Sequence, residues 1–118
     1  MQRLIQIRSY QLRPDATVAF HRAFLDECVP MLRQRGHDVV AFGPSPHQDD
    51  AYYLIRAYDD LADLHARQDA FYGSSQWRDG PRERVLALID RYLDTVLWLS
   101  PDGIEDLRRG NAGPTDPP

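Results

Sequence analysis

The chain has 118 residues, 42% of them hydrophobic and 27% charged, a length and composition typical of one soluble globular domain. Its formal net charge of −4 at pH 7 argues against a nucleic-acid-binding protein, because phosphate contacts need a basic face. The longest apolar runs have about five residues, whereas a membrane-spanning helix needs about 18 or more, so the sequence also argues against a membrane protein.

The first third of the chain predicts a strand and a helix. The stretch RLIQIRSYQL alternates in polarity with a period of two, which predicts a strand on which Arg8 and Tyr10 share one face. The following residues carry an apolar stripe at helical spacing, and Pro14 and Gly36 are suited to the start and the end of that helix. Pro30 falls inside the helix and predicts a kink, because proline lacks the backbone N–H.

The middle of the chain predicts two strands and a second helix. DVVAFG is a short apolar strand, and PSPHQDD is a turn that leads to the strand AYYLIRAYD. Arg56 and Tyr58 repeat the Arg-x-Tyr spacing of the first strand and again share one face. DDLADLHARQDAFY is helical, with Asp59 or Asp60 as its N-cap.

The stretch SSQWRDGPRERV predicts a joint between two helical pieces. Gly73 is suited to end the preceding helix, and Ser74 or Ser75 can cap a short turn that holds Trp77. Pro81 is suited to the first position of the next helix, PRERVLALIDRY. We expect this joint to let Trp77 turn inward over the sheet, and YLDTVLWLS to form the last strand.

The resulting element order is β-α-β-β-α-β, which predicts an α+β, ferredoxin-like fold. Its four-stranded antiparallel sheet would have the strand order 4-1-3-2, with the helices on one face. This domain is predicted to span residues 1–100. Residues 101–118 are polar and rich in proline and glycine, and we expect them to form a flexible C-terminal tail.

The predicted strands are apolar on both faces, although helices would cover only one. A strand that is apolar on both faces is normally buried on both faces. A second copy of the chain, packed sheet against sheet, would supply the missing cover. We therefore expect a homodimer.

Cys28 is the only cysteine, so the chain cannot form an internal disulfide. A reducing, intracellular setting is the default for such a protein. The stretch MQRLIQIRSY lacks the apolar segment of a signal peptide. These features predict a cytoplasmic protein.

Three stretches of the sequence resemble the NIPSNAP family. IQIRSYQLRPD resembles the opening strand and turn of that family, and AFHRAFLDECVPMLRQRGHDVVAF resembles its first helix, with a late proline, Pro30, and a glycine, Gly36, before the second strand. YYLIRAYDDLADLHARQDAFYGSSQW resembles its third strand and second helix, including Arg56, Tyr58 and Trp77. The resemblance covers about residues 3–99, nearly the whole predicted domain.

The resemblance implies a dimeric α+β barrel. Proteins with that fold include cofactor-free aromatic monooxygenases, isomerases, polyketide cyclases of natural-product biosynthesis, and haem-degrading enzymes. NIPSNAP members themselves mostly have no assigned reaction. The chain looks most like a stand-alone bacterial member, and the resemblance places a small-molecule pocket between the sheet and the helices of each subunit.

The candidate site residues come from the first and third predicted strands, from the two predicted helices, and from the joint that holds Trp77. Arg8 and Arg56, each followed by a tyrosine on the same face, could hold an enolate, phenolate or carboxylate. Alternatively, the arginines pair with acidic residues or line the dimer interface. The predicted catalytic set is His21, His65, Arg8 and Arg56. The predicted substrate-binding set is Tyr10, Tyr58, Trp77 and Phe24.

His21 and His65 are candidate general bases because imidazole titrates near neutral pH. The alternative is that both are half-exposed helix residues. His37 and His47 are expected to face solvent. Trp77 can be either a plug at one end of the core or a wall of the pocket.

Other chemistries find little support in the sequence. It contains no cysteine pair, no H-x-x-E-H motif and no histidines at i and i+4, so we expect no metal site. It also lacks a glycine-rich phosphate loop and a G-x-S-x-G motif, so we expect no nucleotide cofactor and no serine hydrolase site. Cys28 is expected to be a small core residue.

Two functions from different classes fit the sequence. The leading hypothesis is a cofactor-independent enzyme that removes a proton from an aromatic or polyketide-like substrate, before oxygenation, isomerisation or cyclisation. The alternative is a non-catalytic homodimeric module for ligand binding or protein interaction. A cavity of at least about 300 Å³ with convergent polar groups would favour the enzyme, and a solidly filled core would favour the module.

Overall fold

The computed structural model of the chain describes residues 1–112. Within that range a four-stranded antiparallel sheet is combined with six α-helices and one π-helical turn, Phe24–Cys28. The strands are β1 (Arg3–Leu12), β2 (Asp38–Pro44), β3 (Ala51–Tyr58) and β4 (Ile89–Leu99). The helices are α1 (Thr17–Ala23), α2 (Val29–Gln34), α3 (Leu61–Tyr72), α4 (Ser75–Arg78), α5 (Arg82–Leu86) and α6 (Pro101–Gly110).

The strands lie in the order β2-β3-β1-β4, which confirms the predicted ferredoxin-like α+β topology. β1 is central and pairs antiparallel with both β3 and β4. Arg8 lies opposite Leu54 on β3 and opposite Asp94 on β4. This register places the Arg-x-Tyr pairs of β1 and β3 on the same face of the sheet.

Helices α1 to α5 pack on one face of the sheet, as predicted, and this is the face that carries the two Arg-x-Tyr pairs. The main core lies between them and is unusually aromatic: Phe20 from α1 and Phe24 from the π-helical turn pack edge-on against Tyr52 of β3. Aromatic pairs of this kind add to the stabilisation gained from apolar burial. The other members of this core cluster are Tyr10, Leu12, Ala16, Ala23, Cys28, Val29, Leu32, Val39, Leu54, Phe71, Trp77 and Val85.

The first helical region is interrupted, as its proline predicts. A π-helical turn separates α1 from α2, and Pro30 follows it in the first turn of α2. Proline lacks the N–H that would bond to the carbonyl of Asp26, and a wider turn relieves the clash of its ring with that carbonyl. Gly36 then ends the region with φ +84°, a conformation that favours glycine.

The joint around Trp77 also forms as predicted. The side chain of Ser74 accepts a hydrogen bond from the Trp77 N–H and caps α4, and Trp77 is buried. Gly80 allows the next turn, because a Cβ there would collide with the carbonyl oxygen of Gln76. The helix after Pro81 is much shorter than expected: α5 ends at Leu86, and β4 begins at Ile89.

The expectation of a tail directly after Ser100 is wrong for its first ten residues, which form α6. Ser100 caps this helix by accepting a hydrogen bond from the Gly103 N–H. Ile104 is 1% exposed and packs on the opposite face of the sheet, against a cluster that contains Ile5 and Ile55. The last six residues of the expected tail lie outside the described residues.

α6 leaves strand β4 uncovered. Leu93 is 75% exposed and Trp98 is 53% exposed, and Tyr92, Val96 and Leu97 also expose much of their side chains. β4 lies at the edge of the sheet, with β1 as its one neighbour in the described sheet. In residues 1–112, no helix combines the length and apolar character needed to cross a membrane.

Candidate functional site

A cavity of about 410 Å³ lies between the sheet and the helices of the chain, where the resemblance to the NIPSNAP family implied a pocket. Its volume falls within the range usual for small-molecule sites. Most of its wall is apolar or aromatic, and its polar side chains come from β1, β4, α3 and the start of α5. Its lining residues are Arg8, Tyr10, Phe24, Cys28, Leu32, Leu54, Gln68, Asp69, Phe71, Tyr72, Trp77, Arg82, Val85, Leu86, Ile89 and Tyr92.

Arg8 supplies a positive charge to the wall of this cavity. Its Nε and Nη2 donate hydrogen bonds of 2.7 and 3.0 Å to the two carboxylate oxygens of Asp94, the residue directly opposite on β4. The guanidinium carbon lies 4.3 Å from the ring centroid of Tyr92. Burial disfavours the charge of Arg8, but the hydrogen bond to Asp94 and the electrostatic attraction of Tyr72, Tyr10 and Asp94 together outweigh this effect and raise the pKa of Arg8.

Arg56 is fully buried and forms no ion pair with any carboxylate of the described residues. Its Nη2 donates to Oε1 of Gln6 at 2.9 Å, and its Nη1 donates to the hydroxyl of Tyr72 at 3.0 Å. Within the described part of the chain its Nε has no hydrogen-bond partner. Buried charges are normally paired, so this cation lacks the usual compensation.

Tyr72 links the two arginines. Arg8 Nη1 donates to its hydroxyl at 3.3 Å, in addition to the bond from Arg56 at 3.0 Å. Tyr72 is the last residue of α3, and its ring packs edge-on against Trp77, which lines the same cavity. The two predicted arginines therefore converge on a tyrosine that was not among the predicted site residues.

A buried polar network continues from Arg56 toward the end of the sheet. Gln68 of α3 donates to Oε1 of Gln6 at 2.5 Å and to the hydroxyl of Tyr58 at 3.2 Å. The same hydroxyl lies 2.9 Å from Nδ1 of His37. Burial raises the pKa of Tyr58, which favours its neutral form. These contacts hold Arg56 in place without a carboxylate.

Three of the four predicted substrate-binding residues line the cavity, namely Tyr10, Phe24 and Trp77. Burial raises the pKa of Tyr10, so its phenol stays neutral. Tyr58 does not line the cavity but belongs to the polar network beneath it. Of the predicted arginines, Arg8 lines the cavity and Arg56 lies behind Tyr72.

The structure does not bring the predicted histidines into this cavity. His65 is exposed on α3. His21 belongs to α1 and does not line the cavity. Its Nδ1 lies 2.6 Å from the hydroxyl of Tyr52, and burial lowers its pKa. His37, which we expected to face solvent, is instead 4% exposed. Its burial, and to a lesser extent the nearby charge of Arg56, lowers its pKa to about 4.

The remaining candidate chemistries concern Cys28 and metal ions. Cys28 is a buried core residue on the cavity wall, and burial raises the pKa of its thiol to about 12. A neutral thiol is a poor nucleophile. Residues 1–112 contain no cluster of three or more His, Cys, Asp or Glu side chains that could hold a metal ion.

No protein-family model matches this sequence, and no curated protein matches it. Several solved structures share its fold. A NIPSNAP family protein of unknown function from Agrobacterium tumefaciens superposes with a TM-score of 0.76 at 18% identity, over 83% of this chain and 88% of that one. An uncharacterized NIPSNAP domain protein from Burkholderia xenovorans gives 0.74 at 16% identity, over 83% and 95%.

A more distant neighbour is named as a candidate antibiotic biosynthesis monooxygenase, from Nitrosomonas europaea. It superposes with a TM-score of 0.59 at 21% identity, over 80% of this chain and 95% of that one. At these identities the similarity concerns the fold and carries no reaction with it. The chain therefore has the ferredoxin-like α+β fold of the NIPSNAP proteins, as its motifs predicted.

Proposed function

We propose that the chain binds a small aromatic or polyketide-like molecule in the cavity and acts on it as a cofactor-independent enzyme. The observation that carries this proposal is the pairing of an aromatic-lined cavity with a cationic end formed by Arg8 and Tyr72. Rings such as those of Phe24 and Trp77 favour a planar apolar ligand. A guanidinium favours an anionic oxygen on that ligand.

The chemistry that this site supports is stabilisation of an enolate or phenolate. Oxygenation, isomerisation and cyclisation of such substrates can all begin with loss of a proton to form this anion. Preorganised donors that face a developing negative charge commonly contribute about 10²–10³ in rate. Asp69 is the one carboxylate on the cavity wall among the described residues, so it replaces His21 and His65 as the candidate base.

A first experiment measures binding. The chain contains two tryptophans, and Trp98 is exposed on β4 whereas Trp77 lines the cavity. In a Trp98→Phe variant, tryptophan fluorescence therefore comes from Trp77 alone and reports on the cavity. We expect naphthalene and 2-naphthoate to quench this fluorescence saturably and in competition with each other. Absence of saturable quenching by either compound would contradict the proposed ligand class.

A second experiment separates catalysis from binding. The ketone 2-tetralone loses a proton next to its carbonyl to give an enolate, and in D₂O this loss is read by NMR as deuterium incorporation. We expect the protein to accelerate this exchange, and both Arg8→Met and Asp69→Asn to reduce the acceleration. Asp79→Asn, at an exposed carboxylate outside the cavity wall, serves as the control.

A non-catalytic binding module is the second candidate. This candidate is favoured because neither His21 nor His65 lines the cavity, so neither of the two predicted general bases can reach a ligand there. Saturable binding of 2-tetralone without accelerated deuterium exchange would support the module and contradict the enzyme.

We also propose that the chain forms a homodimer through β4. Leu93 and Trp98 point to opposite faces of this strand and are both largely exposed, and a strand that exposes large apolar side chains commonly marks a protein–protein interface. Tyr92 belongs to the same strand and to the wall of the cavity. A partner packed on β4 would therefore also cover one side of the cavity.

A further inference from the structure

The hydroxyl of Tyr72 occupies an unusual electrostatic position. It accepts hydrogen bonds from Nη1 of Arg56 at 3.0 Å and from Nη1 of Arg8 at 3.3 Å. A guanidinium has donors and no acceptor, so both arginines must use the lone pairs of the tyrosine oxygen. The hydroxyl hydrogen is then the one hydrogen-bonding function that remains to Tyr72.

That hydrogen finds no acceptor among residues 1–112, where the two arginine contacts are the only hydrogen bonds of the Tyr72 hydroxyl. Tyr72 is partly buried and lines the cavity beside Trp77. A hydroxyl hydrogen on the wall of a cavity is available to an acceptor that enters the cavity, such as a ligand oxygen.

The surrounding charges favour an anion at this point. The charge of Arg8 is balanced by Asp94 through two hydrogen bonds, whereas the charge of Arg56 is balanced by no carboxylate in the described part of the chain. Arg56 is fully buried, so water screens its charge little. Negative charge on a ligand oxygen that is hydrogen-bonded to the Tyr72 hydroxyl is therefore stabilised.

We propose that Tyr72 is the residue that recognises the anionic oxygen of the bound molecule, by donating its hydroxyl hydrogen to it, and that Arg56 positions and polarises Tyr72. This inference rests on the proposed function. Where the ligand oxygen is basic enough, the O–H bond of Tyr72 breaks and a new O–H bond forms on the ligand. The electron pair stays on the Tyr72 oxygen between the two guanidinium groups, and a hydronium ion from solvent later gives its proton to this oxygen and leaves as water.

The experiment compares 2-naphthoate with naphthalene in the Trp98→Phe background. Tyr72→Phe removes one oxygen and keeps the ring, and we expect it to weaken 2-naphthoate binding about tenfold or more, as for other hydrogen bonds to charged groups, while naphthalene binding stays unchanged. Tyr53→Phe is the matched control, because Tyr53 packs on the opposite face of the sheet, does not line the cavity, and its hydroxyl makes no hydrogen bond within the described chain.

The role of Arg56 is tested by the ratio of the affinity for 2-naphthoate to the affinity for naphthalene. A merely structural role of Arg56 would leave this ratio unchanged. Arg56→Lys keeps the charge and loses the fork of donors. We expect it to lower the preference for 2-naphthoate in the presence of Tyr72, and to have no further effect on that preference in a Tyr72→Phe protein.

The outcomes separate the two proposals. If the parent protein binds neither compound, the proposed function and this inference both fail. If the parent binds both compounds and Tyr72→Phe leaves the preference for 2-naphthoate unchanged, or weakens both compounds equally, this inference fails and the proposed function stands. An equal loss of preference in Tyr53→Phe would also overturn the specific role of Tyr72.

Discussion

The imidazole of His37 is buried against the hydroxyl of Tyr58, with 2.9 Å between Nδ1 and the phenolic oxygen. Its Nε2 has no partner among the described residues. Burial and the charges of Arg56 and Arg67 oppose protonation of His37. A hydrogen bond with the Arg67 backbone and the charge of Asp63 only partly offset them, so the pKa of His37 is lowered from 6.5 to about 4. His37 is therefore neutral in the folded chain at neutral pH.

This pair predicts that acid destabilises the fold. Between about pH 6.5 and 4 the unfolded chain binds a proton at this histidine and the folded chain does not, so stability is complete above pH 6.5 and falls as the pH falls. The loss is at most about 3 kcal/mol. His37→Gln should flatten the pH dependence of the melting temperature over this range. An unchanged slope in His37→Gln would contradict the assignment, and His65→Gln, at an exposed position, is the control.

Removal of Asp94 should strengthen anion binding. Its carboxylate neutralises Arg8 next to the cavity, so Asp94→Asn leaves more positive charge for a ligand oxygen. We expect 2-naphthoate to bind up to about fivefold more tightly, as for a partly exposed ion pair, with naphthalene unaffected. Asp90→Asn on the same strand is the control, since Asp90 lies 3.8 Å from the exposed Arg13. Weaker 2-naphthoate binding in Asp94→Asn would show that the carboxylate instead holds Arg8 in place.

A charge on the uncovered strand should separate the proposed dimer. Leu93 is 75% exposed in the single chain, so Leu93→Lys should change the stability of the single chain little. The substitution should weaken association if a second copy covers Leu93. We expect light scattering to show a dimer for the parent protein and a 13.6 kDa monomer for the variant. Val18→Lys on α1 is matched in exposure, at 76%, and should leave the dimer intact. A parent protein that is monomeric at micromolar concentration would contradict the dimer.

Helix α6 should contribute to the stability of the domain. Ile104 is 1% exposed within the cluster on the outer face of the sheet, and Arg108 of the same helix forms an ion pair with Asp38 of β2. Ile104→Ala should lower the free energy of unfolding by about 2–5 kcal/mol, the usual range for a buried isoleucine. Arg109→Ala changes an exposed pair of the same helix and should have little effect. An unchanged unfolding midpoint in Ile104→Ala would show that α6 does not dock in solution.

Local patterns in the sequence determined most of the secondary structure. The alternation of apolar and polar residues predicted β1 and β3 and placed Arg8, Tyr10, Arg56 and Tyr58 on one face, because side chains alternate along a strand. Asp60 and Ser74 were recognisable as helix caps because their side chains bond to backbone groups only three residues away. These effects act between near neighbours in the chain.

The sequence contained local features that favour helix α6, although the polar composition of this region pointed to a tail. Ser100 followed by Pro101 is a common helix start, and Ile104 and Leu107 lie three residues apart on one face of the helix. The polar and glycine-rich character of residues 101–118 suggested a tail instead. Two apolar side chains were enough to anchor the helix because the outer face of β1 and β3 was otherwise bare.

The centre of the candidate site was decided by tertiary structure alone. Tyr72 is 64 residues from Arg8 and 16 from Arg56, and nothing local marks it as their common partner. His37 was expected to face solvent, yet the packing of α3 against β3 encloses it between Phe71 and Tyr58, and this burial lowers its pKa. A period of two shows which residues share a face of a strand, but which groups of other elements meet that face depends on how the helices cross the sheet.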